Sequence, residues 1–188
     1  MRRQTTTVGA SACESRLDRA RRGEHDALGE LYAELAPGVL GYLRGSGVRD
    51  VEDLAGDVFV AMMGRLSGFV GDEAALRRWV FTIAHHRMID ARRRASIRGL
   101  ELVAPPEPAG DDPYEGVVAR LDGSALVVRA LAHLTPDQRN VVLLRSVAHL
   151  SVAETADVLH KRAGAVKTLH RRGLAALARV VRSAEAVS

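Results

Sequence analysis

Ser151 stands three residues ahead of Glu154 at the head of LSVAETADVLHKRAGAVKTLHRRGLAAL (residues 150–177), and this spacing restricts the fold more than any other in the chain. In a capping box the hydroxyl and the carboxylate each satisfy an orphan amide at a helix start, so a helix is predicted to begin near Val152. Val152, Ala156 and Leu159 recur at i, i+4 and i+7, a narrow apolar face suited to packing on a neighbouring helix. A basic turn follows (His160, Lys161, Arg162), then Gly164. A second periodicity, Val166, Leu169, Gly173 and Leu177, leaves Lys167, Thr168, Arg171 and Arg172 on other faces. No Asp or Glu occurs from His160 to Arg182, whereas Lys161, Arg162, Lys167, Arg171, Arg172, Arg179 and Arg182 are basic. Two short helices with such a side suit a polyanion in a groove of matching width. The same pattern also fits an ordinary helical hairpin with a solvated basic face.

The formal net charge of +4 points the same way weakly, and its distribution says more than its total. With three Phe, three Tyr and one Trp the chain has few rings on which to stack unpaired bases. Cys13 is alone, which excludes an intramolecular disulfide and a cysteine-based zinc cluster within one chain. No window approaches the length of apolar sequence that spans a bilayer, and the Thr-rich start lacks a signal core, so a cytoplasmic protein is expected. At 188 residues there is room for one domain or two small ones.

Residues 1–13 show no periodicity and read as a tail. From Glu14, Leu17, Ala20, Ala27, Leu28, Leu31, Leu35, Val39, Leu40 and Leu43 recur at helical steps, with Pro37 expected to break or kink the run. In RDVEDLAGDVFVAMMGRLSGF, Val51, Leu54, Val58, Met62 and Leu66 form one stripe, while Asp50, Glu52, Asp53 and Asp57 lie elsewhere. Acidic residues there can complement the helix dipole or dock a basic partner. Asp72 is expected to cap a long helix with Leu76, Val80, Ile83, Met88 and Ala91 buried and Arg77, Arg78, His85, His86, Arg87, Arg92, Arg93 and Arg94 exposed. Trp79 and Phe81 sit among these bases and fit either a core or an unstacked nucleobase. The stretch 96–122, rich in Pro and acidic residues, reads as a linker. Residues 125–134 read as a short apolar helix. Thr135, Pro136 and Gln138 then mark a second capping box, opening a helix expected to reach about Ala148.

Two helical units, each with a cationic helix, joined by an acidic Pro-rich stretch: in this order the chain resembles an extracytoplasmic-function sigma factor, the compact two-domain branch of the bacterial sigma-70 family. The resemblance covers roughly residues 27–181. DVEDLAGDVFVAMMGRLSGF looks like the polymerase-docking helix, LRRWVFTIAHHRMIDARRR like the promoter-melting and minus-ten helix, and the stretch from Leu134 to Leu177 like the minus-thirty-five unit. It implies an all-α protein with a tail over 1–13, sigma region 2 over 14–95, a linker over 96–122 that threads the polymerase channels, and sigma region 4 over 123–183. It implies no cofactor and no catalysis by the chain itself. Its partners would be core RNA polymerase, through the clamp helices of the largest subunit and the flap, promoter DNA, and an anti-sigma factor wedged between the domains. The chain would lie in the cytoplasm, on the nucleoid when bound to polymerase.

By the same resemblance Glu52, Asp53, Asp57 and Phe59 belong to the docking helix. Arg77, Arg78, Trp79, His86, Arg87, Asp90 and Arg93 belong to melting and minus-ten contact. Arg139, Arg162, Lys167, Thr168, Arg171 and Arg172 belong to the minus-thirty-five element, Arg139 on the backbone. The chain departs from the family pattern at His160, where Gly is usual, at Leu169, His170 and His86, and at Gly56, where Gln is usual. Two rivals remain: a dimeric helix-turn-helix regulator that acts without polymerase docking, and a nuclease using His85, His86 and Asp90, which would need convergent metal ligands.

Overall fold

Ser15 accepts from the amide of Asp18 and so starts α1 (Arg16–Arg21), the first element in a computed structural model that describes residues 15–97 and 130–185. The expected tail, most of the expected linker and the start of the helix expected over 125–134 lie outside the described residues. A turn at Gly23, with φ 84°, leads into α2 (His25–Gly45). This helix continues unbroken through Pro37, where a break or kink was expected. The proline withdraws a hydrogen bond from the Ala33 carbonyl, but Ala33 and Pro37 both face solvent, where water can take that role.

α3 (Val51–Met63) and the 3-10 turn Leu66–Gly68 bury the whole predicted stripe of Val51, Leu54, Val58, Met62 and Leu66. α4 (Glu73–Ile97) begins where an Asp72 carboxylate oxygen accepts from the Ala75 amide at 2.8 Å. It runs two residues past the expected boundary at 95. Its buried side is Leu76, Val80, Phe81, Ala84 and Met88, with Ile83 and Ala91 only partly covered. The helix packs on α2 as well as α3, so the apolar arc includes Phe81, whose ring meets Tyr42 edge-on at 6.0 Å.

Two of the bases expected on the outer side of α4 turn inward instead. His85 Nδ1 lies 2.8 Å from the hydroxyl of fully buried Tyr42. Arg92 donates to the carbonyl of Ser46, the residue that ends α2, where a cation also meets the negative end of the helix dipole.

Residues 130–132 are helical and end just before the second capping box, in which the Thr135 hydroxyl accepts from the Gln138 amide at 3.3 Å and the Gln138 side chain from the Thr135 amide at 3.2 Å. α5 (Pro136–Ser146) stops slightly short of the expected Ala148. α6 (Val152–Leu159) opens on the predicted Ser151–Glu154 box, with bonds of 3.2 and 2.7 Å. It ends at His160, which adopts the left-handed conformation at φ 51°. That conformation is what a glycine ordinarily supplies in this turn. α7 (Ala163–Glu185) then crosses back over α5. The crossing is close at Gly173, where a Cβ would stand 2.7 Å from Val142 Cγ2.

Val141, Ala156 and Val166 form a small core of their own between α5, α6 and α7. The larger core does not stop at the first four helices. It includes Leu131, Leu134, Val142, Leu143, Leu144, Ala148, Leu150 and Val158, so the two helical units meet on a shared apolar surface.

Candidate nucleic-acid interface and partner-facing helix

The helix-turn-helix puts its charged residues where a groove could receive them. Val166 is fully buried and anchors the first turns of α7, with Leu169 partly covered beside the small core. Turning away from that anchor, Lys167, Arg171 and Arg172 are exposed, and Arg162 is exposed just ahead of the helix. Thr168 is half-buried, its hydroxyl donating to the Gly164 carbonyl at 3.0 Å. Lys161 is held by Asp137 at 2.9 Å, tying the turn to the start of α5. His170 turns partly inward near Arg145; burial first, then that cation, lowers its proton affinity below that of a free imidazole.

Arg139 is placed differently from the other five. Its guanidinium donates to the carbonyls of Leu131 at 2.9 Å, Ala132 at 3.1 Å and Leu134 at 3.5 Å. It caps the helix end before Thr135, and a phosphate would have to compete with those carbonyls.

On α4 the expected minus-ten residues divide into two groups. His86, Asp90 and Arg93 fall at i, i+4 and i+7 and are all exposed, with Arg87 half-buried beside them. Arg77 is paired with Glu34, and Arg78 reaches Asp157 of α6 at 3.3 Å. Trp79 is half-buried and stacks on Phe69, with ring centroids 5.1 Å apart and planes 18° apart. A nucleobase could reach that stacked pair only from its outer side. His85 and His86 diverge, one inward and one outward, as neighbouring positions on a helix must. No group of three or more His, Cys, Asp or Glu among the described residues is placed to hold a metal.

α3 presents Asp53 and Asp57 outward one turn apart. Glu52 is exposed and paired with Arg44 at 2.8 Å. Phe59 is only 4% exposed and its ring lies 4.6 Å from that of Tyr32, so it belongs to the core beneath this surface rather than to the surface itself. Two residues not singled out from the sequence share the outer face: Val60 at 72% and Met63 at 45% exposure. Their signal was available, since both fall off the buried stripe of α3 and yet are apolar. None of the helices among the described residues is long and apolar enough to cross a membrane.

A bihelical DNA-reading unit following a four-helix unit with an acidic, partly apolar face defines a class of transcription proteins, and comparison with known proteins agrees. The family model of sigma-70 region 2 matches residues 31–97, and that of sigma-70 region 4 matches residues 124–177. The ECF RNA polymerase sigma factor BldN of Streptomyces coelicolor is 34% identical over 171 residues, covering 88% of this chain and 64% of its own length. ShbA of Streptomyces griseus, another ECF sigma factor, is 30% identical over 187 residues, covering 93% of this chain and 95% of its own. The sigma factor YlaC of Bacillus subtilis is 30% identical over 155 residues, 79% of this chain and 89% of its own. The solved structure of CnrH with the cytosolic domain of CnrY superposes with a TM-score of 0.64 over 89% of this chain and 96% of that one, at 24% identity, which establishes the likeness of fold. The chain belongs to the extracytoplasmic-function group of the sigma-70 family, whose members regulate transcription.

Proposed function

We propose that this chain binds core RNA polymerase, directs it to a set of promoters and helps open the duplex there. The observation that carries the reading is the outward face of α7. Lys167, Arg171 and Arg172 are exposed on a helix whose other side is anchored by Val166, and no carboxylate occurs along the sequence from His160 to Arg182. Forked Arg side chains reach base edges, whereas Lys supplies phosphate charge with little geometry. With Arg162 and Thr168 these residues take the minus-thirty-five element. His86, Arg87, Asp90 and Arg93, with Arg77, Arg78 and Trp79, serve the minus-ten element and melting. Asp53 and Asp57, with Glu52 at the rim, meet the basic side of the polymerase clamp helices, while Phe59 supports that surface from below and the C-terminal unit meets the flap. The functional division follows residues 14–95, 96–122 and 123–183.

An anti-sigma factor acting on both helical units is part of the same proposal; the solved structure of CnrH holds the cytosolic domain of CnrY as a bound partner. Association with the nucleoid follows from binding polymerase. Run-off transcription with bacterial core polymerase and a promoter panel tests the reading. Start sites that depend on this chain support it, and silence from a folded, inhibitor-free chain favours the dimeric regulator. Failure of the chain to co-purify with the product of its neighbouring gene would remove the anti-sigma part alone.

A further inference from the structure

Among the described residues that line an open cleft at the leading end of α7, Asp137 is the one carboxylate, beside Lys161, Arg162 and Thr168. The first turn of α7 carries no acid, and none occurs along the sequence from His160 to Arg182. The carboxylate arrives from another element. It stands in the first turn of α5, with Nζ of Lys161 2.9 Å from its Oδ2. An acid in that turn complements the helix dipole whatever it faces, but the dipole does not account for the lysine set against it. The backbone beneath that lysine is fixed: His160 ends α6 in the left-handed conformation, and the Lys161 amide then donates to the Ala156 carbonyl at 2.9 Å. The Lys161 side chain is 30% exposed and that of Asp137 55%, so a duplex can reach both.

We propose that Asp137 is a positioning residue that holds Lys161 off the DNA backbone and so keeps the affinity of the minus-thirty-five unit low without altering which bases it reads. This rests on the promoter reading above. A duplex whose groove receives Arg162 and Thr168 runs its phosphates past the cleft that these residues share with Asp137 and Lys161. The carboxylate acts on such a duplex twice: it repels the phosphates, and it occupies the amine that would otherwise neutralise one. Neither effect depends on base sequence, since phosphate contacts position a protein without identifying bases. Non-specific binding consists almost wholly of such contacts, so a withheld lysine limits the share of free chain held on DNA that is not promoter. The Arg contacts that discriminate between bases are left untouched.

Salt titrations of the full chain against matched and single-mismatch minus-thirty-five duplexes test this. Asp137→Asn is expected to tighten binding to all of them alike, several-fold at about 0.1 M salt, and to steepen the slope of log affinity against log salt by about 0.9, one further phosphate neutralised. Asp137→Glu keeps the charge and is expected to stay at the wild-type slope. Lys161→Ala should leave the wild-type slope unchanged, yet cancel the gain in the Asp137→Asn background. A purely structural role for Asp137 would move stability but none of these slopes. Neither residue belongs to the core, so circular dichroism should stay native throughout. Lys161 and Lys167 are the only lysines in the chain, which supplies a readout independent of DNA. Brief treatment with acetic anhydride, followed by peptide mass spectrometry, is expected to acetylate Lys161 several-fold more slowly than Lys167, and the gap is expected to narrow in Asp137→Asn.

An unchanged slope in Asp137→Asn, or a slope lowered by about 0.9 in Lys161→Ala alone, overturns the proposal. A gain confined to one base position would make Asp137 a base-reading residue and overturn it equally. A slope that stays raised in the double variant assigns the gain to lost repulsion and removes the role of Lys161. Failure of wild type and every variant to bind any duplex would remove the promoter reading and the affinity role together. An acetylation gap that does not narrow in Asp137→Asn overturns the ion pair itself, whatever the duplexes show.

Discussion

His85 shows how far a single side chain can depart from its place in a pattern. The neighbours that bear on its charge are Tyr42 on α2, His86 and Arg92 on α4 and His160 at the α6 turn. Burial first, then the electrostatic influence of His86, Arg92 and His160, lowers its pKa to about 4, so it is neutral in the fold; burial raises that of Tyr42. The unfolded chain keeps the ordinary value near 6.5. Stability from this group is therefore complete above about pH 6.5 and is lost as the pH falls toward 4, because the unfolded state takes up a proton first. The expected loss between pH 7 and pH 4 is on the order of 3 kcal/mol. Urea midpoints for wild type and His85→Gln across that range measure it, and a slope of equal size in both would assign the acid sensitivity to other groups. Helical periodicity placed His85 and Arg92 outside with the other bases of α4. Period alone could not know that Tyr42, forty-three positions earlier, would offer a hydroxyl to one and that the end of α2 would offer a carbonyl to the other. Arg139 repeats the lesson: its three carbonyl partners precede it by only five to eight residues, yet they exist as a site only once the preceding helix ends.

At the scale of elements, what was legible is what is local. Both capping boxes form as the spacing required, because a hydroxyl, a carboxylate or amide and two backbone N–H groups within four residues need nothing distant. Ser151→Ala should lower stability by about 1 kcal/mol in thermal or urea unfolding, with Thr135→Ala doing the same. The predicted stripe of α3 is buried in full, while that of α4 is shifted, since α4 packs on α2, α3 and α6. Pro37 does not interrupt α2 for a related reason: the Ala33 carbonyl that loses its partner faces solvent and can be hydrated. Function separates by element too. Arg171→Ala or Arg172→Ala, on α7, should weaken minus-thirty-five recognition roughly ten-fold or more with core polymerase binding intact, since a good base contact is worth about 1–3 kcal/mol. Asp57→Arg, on α3, should do the reverse. Equilibrium binding to core polymerase and to duplex promoter DNA, measured side by side, checks the pair; equal loss of both in all three variants would mean unfolding and would void the assignment.

For the whole molecule the sequence showed two units and their order but not the surface between them, because a groove of Gly38, Gly41 and Gly45 along α2 becomes meaningful only when Leu143 and Val147 fill it. Charge is a whole-molecule property of the same kind. The formal net charge of +4 is small, since 23 Asp and Glu spread along the chain nearly cancel 27 Lys and Arg. An attraction for DNA proportional to that total would be weak and diffuse. The structure instead gathers Arg162, Lys167, Arg171 and Arg172 on one exposed side and leaves Asp53 and Asp57 exposed on another helix, so the molecule is polarised more than it is charged. Binding to a minus-thirty-five duplex should therefore weaken steeply with salt, each neutralised phosphate contributing about 0.9 to the slope of log affinity against log salt. Lys167→Ala should reduce that slope by about 0.9 and weaken binding to all sequences alike. Arg171→Ala should change discrimination at one base position as well. Salt titrations of both variants against matched and single-mismatch duplexes distinguish them. If Lys167→Ala leaves the slope unchanged, this side of α7 does not face the phosphates, and the docking of the recognition helix would have to be turned about its axis.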